Sequence, residues 1–125
     1  MAAITVDTLF YAAAKIQCIE EKNIALVFSP AGISIRFPTT RRLAEFLGVP
    51  HYYVLPFFAM MEQEELVTRA ERVGILTTAK GTARLLDRIA ASYRSEAEAL
   101  LGPVIFDEII GRTRKSVPGP SAGRQ

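Results

Sequence analysis

The stretch from Thr39 to Val67, TTRRLAEFLGVPHYYVLPFFAMMEQEELV, restricts the fold more than any other part of this chain. It reads as an amphipathic helix, a glycine-centred corner and a second helix with almost no linker, the layout of a helix-turn-helix. Thr39 or Thr40 can cap the first helix through a side-chain oxygen, and Leu43, Ala44, Phe46 and Leu47 form its core face. Gly48 suits the left-handed corner that a Cβ disfavours. Pro50 suits the first turn of the second helix, where its missing N–H costs nothing. Val54, Phe58 and Met61 are spaced to point inward. Pro56 sits inside this second helix, so the helix is either kinked or begins later.

The flanking segments supply a small mixed domain. Residues 4–22 read as a helix with Leu9, Phe10, Ala13, Ile16 and Ile19 on one stripe. Ile4, Val6, Tyr11, Ala12, Ala14 and Cys18 add apolar surface on other sides, so this helix is expected to be buried on more than one side. Residues 24–37 read as a β-hairpin turning at Ser29-Pro30-Ala31-Gly32, with Ile33, Ile35 and Phe37 alternating with Ser34 and Arg36. Residues 65–78 suggest two short strands joined near Arg72-Val73-Gly74, with Ala70 as the alternative start of the tight turn. Thr78 then caps a helix with Leu85, Leu86, Ile89 and Tyr93 inward. Ser95-Glu96-Ala97-Glu98 has the form of a capping box. Gly102-Pro103 breaks that helix, and residues 104–112 form a last turn or two with Ile105 and Ile109 at i, i+4. Residues 114–125 are rich in Pro, Gly and Ser and are expected to be disordered. The expected organisation is a domain over 1–95, a helical extension over 96–113 and a basic tail over 114–125.

The chain has 125 residues, 50% hydrophobic and 22% charged, enough for one globular domain with a genuine core. No apolar run approaches the roughly 18 residues that span a bilayer, and the N-terminus lacks the basic start of a secretory signal. A cytoplasmic protein with no membrane contact is the expectation. A single cysteine, Cys18, and a single histidine, His51, leave nothing for an internal disulfide and little for zinc. No Gly-rich phosphate loop, nucleophile elbow or metal-ligand spacing occurs, and the Glu62, Glu64, Glu65 cluster reads as a solvated helix end. Neither an enzyme nor a cofactor is expected. The net charge of +2 belongs to the C-terminus: four basic and no acidic residues follow Gly111, leaving 11 basic against 13 acidic in residues 1–111.

The order helix, strand, helix, corner, helix, hairpin, helix resembles a winged helix. Thr39 to Tyr93 is similar to prokaryotic winged helix-turn-helix regulators of the MarR, PadR and ArsR type. L-A-E-F-L-G-V-P matches the family's second helix and corner. M-E-Q-E-E-L-V matches its acidic exit from the recognition helix, with Glu65 where a Gly is usual. G-I-L-T-T-A-K-G matches the second wing strand and the helix start after it. The expected fold is therefore α+β, a winged helix-turn-helix with an N-terminal helix, an extra hairpin before the motif and a C-terminal helical extension.

The resemblance implies a DNA-binding transcriptional regulator that holds duplex DNA. It places Arg41 and Arg42 on the backbone, His51 and Tyr52 on the exposed start of the recognition helix, and Arg69 and Arg72 in the wing. Arg36, Thr39 and Thr40 complete the expected DNA-binding set. Yet the second helix lacks the Arg, Lys and Asn side chains that read base edges, and its one Gln, Gln63, is at the far end. The alternative is a protein-interaction module using that apolar helix, with little or no DNA binding. Its contact residues would be Tyr52, Leu55, Phe57 and Met60. A homodimer is also expected, through the first helix with Tyr11 and through residues 95–111 with Ile105 and Ile109.

Overall fold

The structure, a computed structural model, describes residues 3–30 and 32–116, without the side chains of the last two. The hairpin corner at Ala31 and the end of the expected tail, 117–125, lie outside the described residues. The architecture is α+β in a winged-helix-like arrangement, helices packed on one small antiparallel sheet.

Helix α1, Val6–Lys15, opens on a capping box in which the Thr5 and Thr8 side chains each accept from the other's backbone N–H. It runs into a π-helical turn, Ile16–Glu20, and the chain reverses at Lys22 with φ of 52°. Leu9, Phe10, Ala12, Ala13, Ala14, Ile16 and Cys18 are all buried. The all-round apolar character of this helix is met within its own chain: α1 packs on three further helices, α2 (Thr40–Leu47), α3 (Leu55–Gln63) and α4 (Ala79–Ser92). The apolar surface expected to meet a second copy there is occupied, and Tyr11 alone of its large hydrophobics stays exposed.

Strands β1 (Leu26–Ser29) and β2 (Gly32–Phe37) form the expected hairpin, and β3 (Val67–Ala70) and β4 (Gly74–Thr77) form the second. The two hairpins join through β2 and β4, giving the order β1-β2-β4-β3. That junction is short: only Arg36↔Leu76 and Phe37↔Ile75 pair. A buried side-chain cluster continues it, with the Ile35 N–H donating to Thr77 Oγ1 at 2.8 Å. Thr77 Oγ1 lies 2.6 Å from Thr82 Oγ1, which donates to the Ile33 carbonyl at 2.7 Å.

Thr39 caps α2 by accepting from the Arg42 N–H, and Gly48 ends it at φ of 69°. Leu43 and Ala44 are buried, while Phe46 and Leu47 only half-fill their places. Pro56 does not kink the second helix. The chain first makes a 3₁₀ turn, His51–Tyr53, and α3 begins at Leu55, with Pro56 in its first turn where no N–H is needed. Val54, Phe58 and Met61 are buried as their spacing requires. Glu65, standing where the resembled family has Gly, does take the left-handed conformation, with φ of 60°.

Thr78 caps α4 by accepting from the Gly81 N–H at 3.1 Å. The Ser95–Glu98 capping box does not form. Helix α5, Arg94–Leu101, starts two residues earlier than a Ser95 cap would place it and leaves Glu98 to pair with Arg94 at 3.3 Å. The Ala97 N–H bonds back to the Tyr93 carbonyl, so the chain turns almost directly from α4 into α5 and needs no side-chain cap. Pro103 is likewise a start rather than a stop. It opens α6, Pro103–Ser116, which packs on α4, α5 and β2 and buries Phe106, Ile109 and Ile110. The helix runs four residues past the expected last turn, so the expected tail is helical as far as Ser116.

Candidate interaction surface

The N-terminal end of α2 gathers the basic residues expected to meet phosphate, and the structure divides them. Arg42 is claimed by three carboxylates: Glu20 at 2.8 Å, Glu21 at 3.1 Å and Glu45 at 3.4 Å. Its bonds to Glu20 and then Glu21 hold its pKa above the ordinary arginine value. A phosphate would have to displace these carboxylates, so Arg42 is not the free backbone contact expected of it. Thr39 spends its hydroxyl on the α2 cap. Thr40 Oγ1 lies 2.7 Å from His51 Nε2, tying the first turn of α2 to the 3₁₀ turn. Arg41 is exposed and, among the described residues, has no carboxylate partner.

In the wing the division repeats. Arg69 pairs with Glu62 at 2.9 Å and its guanidinium lies 5.0 Å from the Phe58 ring centre, so it braces β3 against α3. Arg72 is exposed at the tip with φ of 68°. Arg36 reaches from β2 beside that tip, 3.9 Å from where a Cβ on Gly74 would stand. Among the described residues, Arg36 and Arg72 at the wing and Arg41 at the start of α2 are thus the members of the expected set without a carboxylate partner.

The second helix presents a different chemistry. Its solvent side carries Tyr52, 66% exposed, with Tyr53, Leu55 and Met60 also exposed. Tyr52 and Tyr53 meet edge to face, 4.9 Å between ring centres. They border an open groove of about 550 Å³ lined by Ala3, Ile4, Val49, Tyr52, Tyr53, Pro56 and Phe57, with scarcely a polar atom. Both tyrosines of the 3₁₀ turn are exposed, and both line this groove. Ala3, Ile4 and Val49 line the groove from outside the second helix, and nothing local in the sequence places them beside Tyr52 and Phe57.

The expected contact residues therefore separate. Tyr52 and Phe57 line the groove, and Leu55 and Met60 lie on the exposed surface of the same helix. Tyr11 accepts a hydrogen bond from Tyr93 at 3.0 Å at the α1–α4 seam. Ile105 is exposed on α6, while Ile109 is buried and shows only the little surface that lines a recess beside Phe28.

A polar cavity of about 380 Å³ lies where α1, β2 and α2 meet, among Gln17, Glu21, Asn23, Arg36, Thr39 and Arg42. Gln17 is buried and donates to the Arg36 carbonyl at 2.6 Å, fixing the strand end that carries Arg36. Burial, with the Glu96 carboxylate adding to it, pushes the Cys18 thiol from its usual 9.0 up to about 11, so it stays protonated and unreactive at neutral pH. Among the described residues no His, Cys, Asp and Glu cluster is placed to hold a metal, and no helix is long and apolar enough to cross a membrane. No protein-family model, no curated protein and no solved structure matches the chain.

Proposed function

We propose that this is a cytoplasmic, winged-helix-like protein-interaction module that docks an apolar helix face of a partner through the 3₁₀ turn and α3. The observation that carries this reading is the groove beside Tyr52, Tyr53, Pro56 and Phe57, an apolar recess on the helix that would otherwise read bases. Aromatic side chains at the rim of a recess are the usual anchors of protein interfaces, and a groove of this kind takes the i, i+3, i+4 side chains of an amphipathic helix. Peptides selected on the immobilised protein from a random displayed library should be amphipathic helices. The Tyr52→Ala, Phe57→Ala double variant, with unchanged circular dichroism, should bind them at least about 30-fold more weakly, the loss of one strong anchor. Unchanged binding by that variant would sink the reading.

A second reading is favoured by a separate observation. Arg36 and Arg72 at the wing and Arg41 at the start of α2 are exposed and, among the described residues, have no carboxylate partner. This supports the duplex-DNA binding of a transcriptional regulator resembling the MarR, PadR and ArsR group, held by backbone contacts alone. Electrophoretic shifts across a salt series test it. Arg41→Ala should lower the salt slope by about one, whereas Arg42→Ala should change it little because Glu20, Glu21 and Glu45 already neutralise that side chain. Absence of any shift at low salt excludes this reading and leaves the first intact.

A further inference from the structure

The outer edge of the sheet at β1 carries an inference independent of the α3 groove. Among the described residues β1 pairs only with β2, through Leu26↔Ile35, Val27↔Ser34 and Phe28↔Ile33. The Arg36 N–H donates to the Ala25 carbonyl at 2.9 Å, which fixes the phase of the ladder. Ala25 and Val27 direct their backbone groups toward β2, and Leu26 and Phe28 direct theirs to the free edge. An edge strand is normally guarded by a charge, a proline or a bulge. Here residues 24–29, I-A-L-V-F-S, contain no charge and no proline.

The side chains repeat the pattern. Phe28 shares a face with Leu26, Ile33 and the fully buried Ile35, so it belongs to the covered side of the sheet. It is nevertheless 65% exposed. Phe28, Ile33, Ile105 and Ile109 line an apolar recess of about 180 Å³, closed on one side by Glu108 and Arg112. Those two pair at 2.8 Å and leave no net charge there. Val104, the residue before Ile105 on α6, is also exposed, at 75%.

We infer that β1 pairs antiparallel with β1 of a second copy of this chain, forming a continuous sheet across a two-fold axis at Val27. In this register Leu26 of one copy faces Phe28 of the other, and the two residues exchange N–H···O bonds, as do their symmetry mates. Pro30, which has no N–H, stays outside the bonded set. An uncharged strand meets its own copy without like-charge repulsion. The second copy also brings its own Phe28 and α6 surface to cover Phe28, Ile105 and Val104, which a lone peptide strand does not do.

The axis position makes the test specific. Val27 would face its own copy as a non-hydrogen-bonded pair, whose Cα atoms lie about 4.5 Å apart, within reach of a disulfide. Val27→Cys should give a covalent dimer under mild oxidation, while the unsubstituted protein, whose Cys18 is buried, should not. Light scattering should find a dimer across the micromolar range, and Phe28→Lys, on an exposed side chain, should return it to monomer with unchanged circular dichroism. An unsubstituted protein that is monomeric throughout overturns the inference, as does a dimer that survives Phe28→Lys. A monomer that instead binds an extended peptide at this edge also overturns it, and assigns the edge to a different partner. None of these outcomes bears on helix binding at the Tyr52–Phe57 groove.

Discussion

Gly81→Ala should cost this protein about 3 kcal/mol or more, against a helix propensity that on its own would favour alanine by about 1 kcal/mol. Gly81 stands in the first turns of α4, where a Cβ would fall on the Leu66 carbonyl oxygen and 2.8 Å from the Leu66 carbonyl carbon. Both are backbone atoms, so no rotamer change relieves the overlap. Relief requires α4 to move off the link between α3 and β3. That link is tied to α4 at several points. The Thr78 N–H donates to the Leu66 carbonyl at 3.0 Å, the Thr78 hydroxyl to the Glu65 carbonyl at 2.6 Å, and Lys80 to the Glu64 carbonyl at 3.2 Å. Moving the helix strains these bonds and opens the core around Leu66, Leu85 and Met61, all fully buried. Urea denaturation should show a lower midpoint at similar slope, and the melting temperature should fall by about 10 °C or more. A variant equal to or more stable than the parent would mean that propensity outweighs the contact.

The sequence made the local elements readable where one residue type answers one backbone demand. Gly48 marks the corner after α2, Thr78 marks the start of α4, and Glu65 shows its left-handed turn only because a Gly is usual there in the resembled family. The inward set Val54, Phe58 and Met61 survives the change from a continuous helix to a 3₁₀ turn followed by α3, because both forms keep these residues on one side. Proline was harder to read. Pro56 and Pro103 both occupy helix starts, and a proline at such a position is locally indistinguishable from one that ends a helix.

What was not legible depends on residues distant in the chain. Arg42 reads as free until α1 and its π turn bring Glu20 and Glu21 to it across more than twenty positions. The all-round apolar surface of α1 reads equally well as a second-copy interface or as the centre of one fold, because periodicity reports burial and not the identity of the cover. The reverse holds for β1. Alternation places Phe28 on the covered face, and only the sheet order, with β1 at an edge, shows that the described residues leave it open. The charge total gave little guidance for the same reason. The carboxylates of Glu20, Glu21, Glu45 and Glu62 are spent on Arg42 and Arg69, while Arg36, Arg41 and Arg72 have no carboxylate partner among the described residues.

Thr77→Val should be the second most damaging of these substitutions, costing about 2–3 kcal/mol although it conserves shape. β2 and β4 share only two residue pairs, and beyond them the Ile35 N–H has no strand carbonyl to meet. Thr77 Oγ1 supplies the acceptor at 2.8 Å inside the core. Valine leaves that N–H buried and unsatisfied, the costly case for a hydrogen bond, because desolvation is kept and the partner is lost. Thr82 keeps two acceptors, the Ile33 and Thr78 carbonyls at 2.7 Å each, so the damage should fall on the sheet junction more than on α4. Thr77→Ser keeps the hydroxyl and should recover most of the loss. Thr77→Val and Thr82→Val should be non-additive in a double-mutant cycle, since their hydroxyls are 2.6 Å apart. Amide exchange gives the sharpest reading: protection at Ile35 should fall furthest, because its N–H loses its partner, and Arg36 and Phe37 should follow. Unchanged protection at Ile35 would show that another acceptor serves it and that the Thr77 hydroxyl does not hold the junction.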